Sequence, residues 1–301
     1  MTPLLERIRA GEVLVADGAI GTHLLRAGIP PGSSFEALNE SSPETIEAIA
    51  ASYVAAGADI VQTNSFGASP LSLERHGLAG KVEAINRAAV RIARRATGGR
   101  ALVAASCGPS GAILKPYGDA DPGAVADSFR LQLRALASEG VDLVCIETMT
   151  DLGEALLALE AAREAAPGVP VSVSLTYDET PRGFFTVMGA GASRAARAIE
   201  EAGGDIVGSN CGSGVAVFAR IARELRSATR LPLLIRPNAG LPELRGAEAV
   251  YPETPADFEE HVPALLGSGV SILGGCCGTT AEHTRAIRRA VDGRSPGLRS
   301  R

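Results

Sequence analysis

Eight short apolar runs alternate with longer alanine-rich amphipathic stretches, and this alternation constrains the fold of the 301-residue chain more than any other feature. Most of the runs are continuously apolar, as expected for parallel strands that are buried on both faces. The predicted strands are Val13–Ala16, Ile60–Thr63, Ala101–Ser106, Leu143–Ile146, Val171–Leu175, Ile206–Ser209, Leu233–Arg236 and Ser271–Gly274. The predicted helices are Pro43–Ala56, Lys81–Ala96, Ala124–Ser138, Asp151–Ala165, Ser193–Ala202, Gly214–Ser227, Pro255–Leu266 and Ala281–Val291.

An eightfold βα repeat without a change of composition predicts an α/β fold with one domain, a (β/α)8 TIM barrel. We expect it to span residues 1–301, with a core over about 11–291 and a flexible tail at 293–301. The doubly wound parallel sheet is the competing fold, since it also alternates strands and helices. Its nucleotide-binding fingerprint is missing, because Gly189-Ala-Gly-Ala-Ser continues with Arg194 where Gly or Ala is required.

Charge and cysteine usage exclude several classes of function. A net charge of −5 argues against nucleic-acid binding, and we interpret the cluster Arg91, Arg94, Arg95 and Arg100 as a solvated helix face. No transmembrane stretch is visible and the start lacks the apolar segment of a signal peptide, so we expect a cytoplasmic protein. Its five cysteines are then expected to be free thiols, since the cytoplasm is reducing.

Polar side chains end nearly every predicted strand, and in a TIM barrel the C-terminal strand ends carry the chemistry. Such groups are unfavourable at the ends of buried strands unless they are paired or used. This pattern predicts a functional site at that end of the barrel. The residues concerned are Asp17, Thr63, Asn64, Ser106, Cys107, Glu147, Thr176, Tyr177, Asn210, Cys211, Arg236, Asn238, Cys276 and Cys277.

A metal site is the strongest local prediction. Cys276 and Cys277 lie in Gly274-Gly-Cys-Cys-Gly at the end of the eighth strand, and Cys211 ends the sixth. The flanking glycines allow both adjacent thiols to face one point. Three thiolates suit zinc, and three protein ligands leave one position open, as in catalytic sites. The alternative is three small core cysteines; Cys107 is a weaker candidate ligand, and Cys145 is expected in the core.

Zinc at such a site would deprotonate a thiol substrate at the open position, and the anionic ligands would keep its sulfur nucleophilic. This favours alkyl transfer over hydrolysis, which usually employs histidine and carboxylate ligands. The four histidines lie in helix-like or loop contexts and are expected to be surface or packing residues. They are His23, His76, His261 and His283.

The remaining strand-end groups suit an amino acid. Asp17 and Glu147 could pair with an ammonium group, and Asn238 could fix it. The turn Asp17-Gly-Ala-Ile-Gly-Thr leads into a helix whose backbone N–H groups could donate hydrogen bonds to a carboxylate. Thr63 and Ser65 could add hydroxyl contacts. Each residue also has a purely structural interpretation, as a cap, an ion-pair partner or a turn residue.

Six motifs in order resemble the homocysteine S-methyltransferase family: Asp17-Gly-Ala-Ile-Gly-Thr, Thr63-Asn-Ser-Phe-Gly-Ala, Ile146-Glu-Thr-Met, Ser209-Asn-Cys-Gly, Arg236-Pro-Asn-Ala-Gly-Leu-Pro and Gly274-Gly-Cys-Cys-Gly-Thr-Thr. The match runs from about Gly11 to Val291. The resemblance implies a (β/α)8 barrel, one zinc ion bound by Cys211, Cys276 and Cys277, and L-homocysteine as methyl acceptor giving L-methionine. It also implies a pocket lined by Asp17, Gly18, Ala19, Glu147 and Asn238, with Thr63 and Ser65 nearby. Relatives often have Thr in place of Ser65, which keeps the hydroxyl.

The methyl donor is left open by these residues. Only one barrel is visible, so we expect either a small onium donor (betaine, S-methylmethionine or S-adenosylmethionine) or a separate methyl-corrinoid protein. Betaine as donor calls for an aromatic cage around its quaternary ammonium group, and the candidates are Tyr117, Tyr177, Phe184 and Phe185. The segment that begins at Arg236 is closer to the methionine synthase branch, which favours a corrinoid- or methyltetrahydrofolate-linked donor.

Two other interpretations remain compatible with the sequence. The chain could be a non-catalytic zinc-stabilised barrel that docks a corrinoid protein, which would require a fourth protein ligand. It could instead methylate another thiol or a selenol. The sequence sets no oligomeric state and is compatible with an oligomer.

Overall fold

Eight parallel strands form the centre of the computed structural model, which describes residues 3–245 and 248–293. They are β1 (Leu14–Val15), β2 (Ile60–Gln62), β3 (Leu102–Cys107), β4 (Leu143–Met149), β5 (Val171–Leu175), β6 (Ile206–Gly214), β7 (Leu233–Asn238) and β8 (Val270–Leu273). Each strand pairs in parallel with the next, and β8 pairs with β1. A parallel bridge between Ala16 and Ile60 joins β1 to β2. The (β/α)8 barrel is therefore confirmed, and the doubly wound sheet, which has two free edges, is excluded.

Eight long helices surround the barrel, one after each strand. They are α1 (Pro43–Ala55), α2 (Val82–Thr97), α3 (Pro122–Ala137), α4 (Leu152–Ala165), α5 (Ala192–Glu201), α6 (Val215–Ala228), α7 (Pro255–Gly267) and α8 (Ala281–Asp292). Side-chain caps define several starts: Asp121 accepts the Ala124 N–H at 2.9 Å, and Asp151 accepts the Gly153 N–H at 2.6 Å. No helix of the described residues has the length and apolar character needed to cross a membrane.

Several shorter elements were not anticipated from the sequence, because each is too short to show a periodic pattern. Four are helices of four to seven residues: Pro3–Arg9, Gly21–Arg26, Leu38–Ser41 and Pro70–Glu74. A 3₁₀ turn covers Ala79–Lys81. Two antiparallel hairpins pair Asp178–Thr180 with Gly183–Phe185 and Glu243–Arg245 with Glu248–Val250. Of the expected flexible tail at 293–301, residues 294–301 lie outside the described residues.

The N-terminal end of the barrel is held by a repeated aspartate clamp. Asp59, Asp142 and Asp205 each follow a Gly-x pair and precede β2, β4 and β6. Each carboxylate accepts a backbone N–H of the preceding strand at 2.8–2.9 Å, from Val15, Val103 and Val171 respectively. Each also pairs with an arginine at 2.7–2.9 Å, from Arg7, Arg94 and Arg163 respectively. The clamps therefore join odd-numbered strands to their even-numbered neighbours at the end opposite the predicted site.

The interior of the barrel is divided into an apolar half and a polar half. The apolar half is a cluster of strand residues sealed by Leu4 of the N-terminal helix. Above it, at the C-terminal strand ends, the buried residues are Gln62, Ser106, Glu147 and Arg236. Polar groups buried at this level must satisfy one another, so the upper half of the barrel interior is the place to look for a site.

Replacing Asp205 by Ala removes the acceptor of one clamp, so the Val171 N–H and the Arg163 guanidinium both lose their contact with this carboxylate. We expect the free energy of unfolding to fall by about 1–3 kcal/mol, measured by chemical denaturation. Asp292→Ala is the matched control, since that carboxylate is 64% exposed and pairs with Arg288 along one helix. It should change stability by less than about 0.5 kcal/mol. Equal effects of the two substitutions would contradict the clamp.

Candidate metal centre and substrate pocket

Three cysteine thiols meet at the mouth of the barrel. Cys211 lies near the end of β6, and Cys276 and Cys277 follow β8. The three sulfur atoms lie within 4.8 Å of one another, with 3.9 Å between those of Cys211 and Cys277. All three residues are partly exposed. The structure thus brings together the thiols that the sequence predicted as metal ligands.

Unusual backbone conformations turn these thiols inward. Cys211 has φ +62°, a left-handed conformation that costs on the order of 1 kcal/mol for a residue with a side chain, and Gly212 follows at +81°. Gly278 ends the second motif at φ +81°. At Gly275 a Cβ atom would lie 2.4 Å from Thr279 Oγ1, so only glycine fits there. Thr279 Oγ1 in turn donates to the Cys276 carbonyl at 2.7 Å and fixes the turn.

Asn210 links the cysteine cluster to β4. Its Oδ1 accepts the Thr148 N–H at 2.8 Å, and its Nδ2 donates to Thr148 Oγ1 at 2.7 Å. The same Nδ2 lies 3.8 Å from Cys276 Sγ. Thr148 itself has φ +59°, so a second strained residue faces the first across the site. Asn210 therefore positions the backbone on both sides of the thiols.

The thiol cluster fits a soft divalent cation. Hydrogen bonds from Cys276 and Cys277 lower the pKa of Cys211 to about 3, and those to Cys211 and Cys276 raise the pKa of Cys277. Three thiols this close do not ionise independently, whereas a zinc-like cation would hold all three as thiolates. Asn238 Oδ1 is buried beside Cys211 without a hydrogen-bond partner, an oxygen that a nearby cation would satisfy.

Cys107 and Cys145 lie outside the cluster. Cys107 is buried and donates to Gln132 Oε1 at 3.4 Å, so the weaker candidate ligand is a core residue. Cys145 faces the apolar half of the barrel interior, and burial raises its pKa to about 12. Its prediction as a core residue is confirmed. Within the described residues the three-cysteine set is the metal-compatible cluster, and none of the histidines belongs to it.

A cavity of about 260 Å³ opens beside the thiols. Its wall includes the three cysteines and, of the residues predicted to bind substrate, Gly18, Ala19, Thr63, Ser65 and Glu147. This volume lies just below the ~300–1,000 Å³ that is typical of small-ligand pockets, a size that suits a single amino acid. Asp17 and Asn238 are buried and are not among the lining residues. These two predicted contacts therefore lie one layer behind the cavity wall.

The floor of this cavity is a buried ion triad. Arg236 Nη2 contacts Asp17 Oδ1 at 2.9 Å, and Nη1 contacts Glu147 Oε2 at 3.3 Å. Burial raises the pKa of Asp17 to about 6, and it also raises that of Glu147, against the pull of the guanidinium. The sequence left both carboxylates open either as partners of a substrate ammonium group or as ion-pair residues. The structure adds that Arg236 pairs with both, so they share one cation.

Other predicted contacts are used internally. The Ala19 N–H, expected to bind a substrate carboxylate, donates to Thr279 Oγ1 at 3.2 Å. Thr63 Oγ1 lies 2.6 Å from Ser65 Oγ, which donates to the Ser106 carbonyl at 2.7 Å. Gly18 is required sterically, since a Cβ there would lie 2.8 Å from Tyr53 Oη. These residues shape the cavity wall, in line with the structural interpretation that the sequence left open.

The aromatic residues at the cavity are not those considered from the sequence. Tyr177 and Phe184 are buried elsewhere, and Tyr117 is 70% exposed on the loop after β3. None of these, nor Phe185, lines the cavity; Phe35 and Phe66 do. Both lie in loops after β1 and β2 without any periodic pattern. The sequence therefore offered no signal for them beyond their positions after strand ends.

Fold and site define a class: (β/α)8 barrels with a cluster of three thiols at the mouth that could hold a metal ion. The sequence model described as homocysteine S-methyltransferase matches residues 14–291, and the chain belongs to that family. It is 33% identical to the methionine synthase of Mycobacterium leprae and 32% identical to that of Mycobacterium tuberculosis, over 96% of this chain. The chain spans about a quarter of the length of these relatives, 25% in each case.

Solved structures agree with the fold. The metallated form of the homocysteine methyltransferase MmuM from Escherichia coli superposes with a TM-score of 0.80 over 97% of this chain and 100% of that one, at 24% identity. The apo form of MmuM gives a TM-score of 0.72. At this level of identity the similarity establishes a shared barrel architecture.

Gly275→Ala should disrupt the metal centre, since the added Cβ displaces Thr279 and with it the turn that carries Cys276. We expect loss of metal retention after dialysis and destabilisation by about 1–3 kcal/mol, measured by elemental analysis and denaturation. Gly267→Ala is the matched control, because a Cβ at Gly267 meets nothing within 4 Å. Retention of metal by both variants would show that the turn does not need glycine at 275.

Proposed function

We propose that this chain catalyses zinc-dependent transfer of a methyl group to the thiol of L-homocysteine, giving L-methionine. The observation that carries the proposal is the three-thiol cluster opening into an amino-acid-sized cavity with a carboxylate, Glu147, in its wall. Family membership supports the acceptor, and the metallated form of MmuM supports a metal at such a site. Cys211, Cys276 and Cys277 are the proposed zinc ligands.

Zinc held by these thiolates would lower the pKa of a substrate thiol at its open coordination position. The chain supplies the rest. Glu147 lines the cavity and accepts hydrogen bonds from the substrate ammonium group. Because the Glu147 side chain is largely buried, water screens this ion pair only weakly. Gly18 keeps this part of the cavity wall in place by leaving room for Tyr53, whose Oη a Cβ atom would approach to 2.8 Å. In the reaction the thiol loses its proton, the sulfur–carbon bond forms, and the bond between methyl group and donor breaks.

The rim around the cavity supports a macromolecular donor. Eight large hydrophobic side chains are exposed in the described part of the chain, and seven of them lie in the connections between a barrel strand and the long helix that follows it. These seven, which we call the apolar rim, are Leu25, Phe66, Ile113, Tyr117, Val187, Leu241 and Leu244. These connections belong to the side of the barrel on which the cavity opens, and exposed apolar surface on one side of a protein can form an interaction site. A separate methyl-corrinoid protein seated on this rim is the donor that we favour.

A small onium donor is the second candidate, on a specific observation. The rings of Phe35 and Phe66 and the Glu36 carboxylate all line the cavity. Aromatic faces and a carboxylate together suit a methylated cation. Glu36 also accepts hydrogen bonds within the protein, from the Gly67 N–H to Oε1 at 2.7 Å and from Ser34 Oγ to Oε2 at 3.1 Å. These bonds hold the carboxylate beside the cavity, and a donor screen decides between the two candidates.

Cys276→Ser tests the acceptor half of the proposal. We expect the purified protein to hold about one zinc ion per chain, and the variant to lose most of it together with methyl transfer to homocysteine, by more than about 100-fold. Cys145→Ser is the control, a buried cysteine of the same barrel outside the cluster, and should retain both properties. Methionine is measured with methylcobalamin, betaine, S-methylmethionine and S-adenosylmethionine as donors.

X-ray absorption at the zinc edge separates catalysis from a structural metal. Added homocysteine should place a further sulfur neighbour on the metal, whereas a non-catalytic docking barrel predicts an unchanged spectrum. If Cys276→Ser keeps zinc and activity, the proposed function fails.

Leu241→Glu tests the donor half. Loss of one leucine side chain that is buried on binding lowers the affinity of a complex by about 10- to 100-fold. Methyl transfer from a methylcobalamin-loaded corrinoid protein should therefore slow by that factor. Homocysteine affinity should not change. Leu131→Glu is the matched control, because Leu131 is 55% exposed but lies on the outer helix α3. Equal slowing by both, or turnover with onium donors alone, would contradict a corrinoid protein on the rim.

A further inference from the structure

Arg236 is the most deeply buried cation of the described residues, at 3% exposure, and the catalytic proposal assigns it no role. It lies in β7 and points into the upper half of the barrel. Its guanidinium makes four contacts. Besides the two carboxylates, Nε donates to the Gly275 carbonyl at 3.0 Å and Nη2 approaches the Gly18 carbonyl at 3.4 Å. A buried guanidinium is unfavourable unless all such contacts are made, so this arrangement is built around it.

The charges at the floor of the cavity do not cancel. Two carboxylates share one guanidinium, so the triad carries one net negative charge when both acids are ionised. Glu147 Oε1 accepts from Gln62 Nε2 at 2.9 Å and from Ser106 Oγ at 2.5 Å, which favours its ionised form. Asp17 Oδ2 accepts the Gln62 N–H at 2.7 Å. Each acid therefore has donors of its own besides the arginine.

The two acids are not equivalent toward the cavity. Asp17 makes the shorter contact with Arg236, 2.9 Å against 3.3 Å, and it does not line the cavity. Both oxygens of each acid accept hydrogen bonds from the protein, so the two acids differ in their position and not in having donors. Glu147 lines the cavity and holds the longer contact. The uncompensated charge is therefore presented to the cavity by Glu147, while Asp17 serves as the counterion of Arg236.

Arg236 also reaches the metal turn. The Gly275 carbonyl that it binds directly precedes Cys276, and the Gly275 N–H donates to the Asp17 carbonyl at 2.9 Å. One side chain thus fixes the distance between the cysteine cluster and the carboxylate that faces substrate. A thiol and an ammonium group on the same small molecule must match that distance.

We propose that Arg236 is the specificity-determining positioning residue of this pocket: it neutralises Asp17, leaves Glu147 as a single presented charge, and so selects thiols that carry one ammonium group. The inference rests on the proposed function. It predicts that homocysteine binds better than 4-mercaptobutanoic acid, which has the same chain and thiol without the amino group. A charge-assisted hydrogen bond in such a site corresponds to a preference of about 10- to 100-fold.

The test is a binding comparison on zinc-loaded protein. Affinities of homocysteine and of 4-mercaptobutanoic acid are measured by calorimetry, and zinc content is checked for every variant. In Arg236→Met no cation lies between Asp17 and Glu147, and uptake of a proton relieves the repulsion between the two carboxylates. The ratio of the affinity for homocysteine to that for 4-mercaptobutanoic acid should therefore fall toward one. Arg236→Lys keeps the charge and should retain most of the preference. Because Arg236 also holds the Gly275 carbonyl next to Cys276, affinities are compared only between preparations with full zinc occupancy.

The double variant Asp17→Asn/Arg236→Met makes the test decisive, because it removes one acid and the guanidinium together and leaves Glu147 as the single charge. We expect it to recover the preference for homocysteine that Arg236→Met loses. A merely structural arginine predicts the opposite, a double variant no better than the single one, and that result overturns the inference. If Arg236→Met does not fold, Arg236→Lys and the double variant still decide it. Wild-type protein that binds neither thiol would instead refute the proposed function.

Discussion

The turn from Gly274 to Gly278 is the element on which the site depends, because its backbone is hydrogen-bonded to strands on both sides. On one side the Gly275 N–H donates to the Asp17 carbonyl at 2.9 Å; on the other the Cys276 N–H donates to the Pro237 carbonyl at 2.8 Å. These bonds continue the barrel ladder beyond β8 and hold two adjacent cysteines where β1 and β7 end. The closed barrel thereby positions the thiols, and no loop has to fold on its own to do so.

Electrostatics explains why so much of the upper barrel is polar. A zinc ion with three thiolates would leave a net negative centre, and the floor would add the uncompensated charge of Glu147. One buried cation, Arg236, offsets this accumulation, and Gln62, Ser106 and Asn210 contribute neutral donors. A cavity of this kind favours a ligand that brings a positive charge. The zwitterion of a thiol amino acid does so without adding net charge.

The sequence predicted the barrel and the cysteine cluster because both have local signatures. Continuous apolar runs locate buried strands, and three cysteines at two strand ends form a ligand set that suits zinc. The pairing of Arg236 with Asp17 and Glu147 has no such signature. It depends on which side chains of β4 and β7 point inward once the ring closes, and that is a long-range property. For the same reason Phe35 and Phe66, which lie in loops, became visible only when the loops were placed against the strand ends.

The direction of access follows from how the barrel is filled. Below the ion triad the interior is occupied by apolar side chains and sealed by Leu4, so substrate and donor share the loop side. In the proposed function the acceptor occupies the charged cavity, and the donor then approaches across the apolar rim. A charged interior under an apolar rim would separate the two recognition tasks: ion pairing would select the thiol, and apolar contact would select the molecule that carries the methyl group.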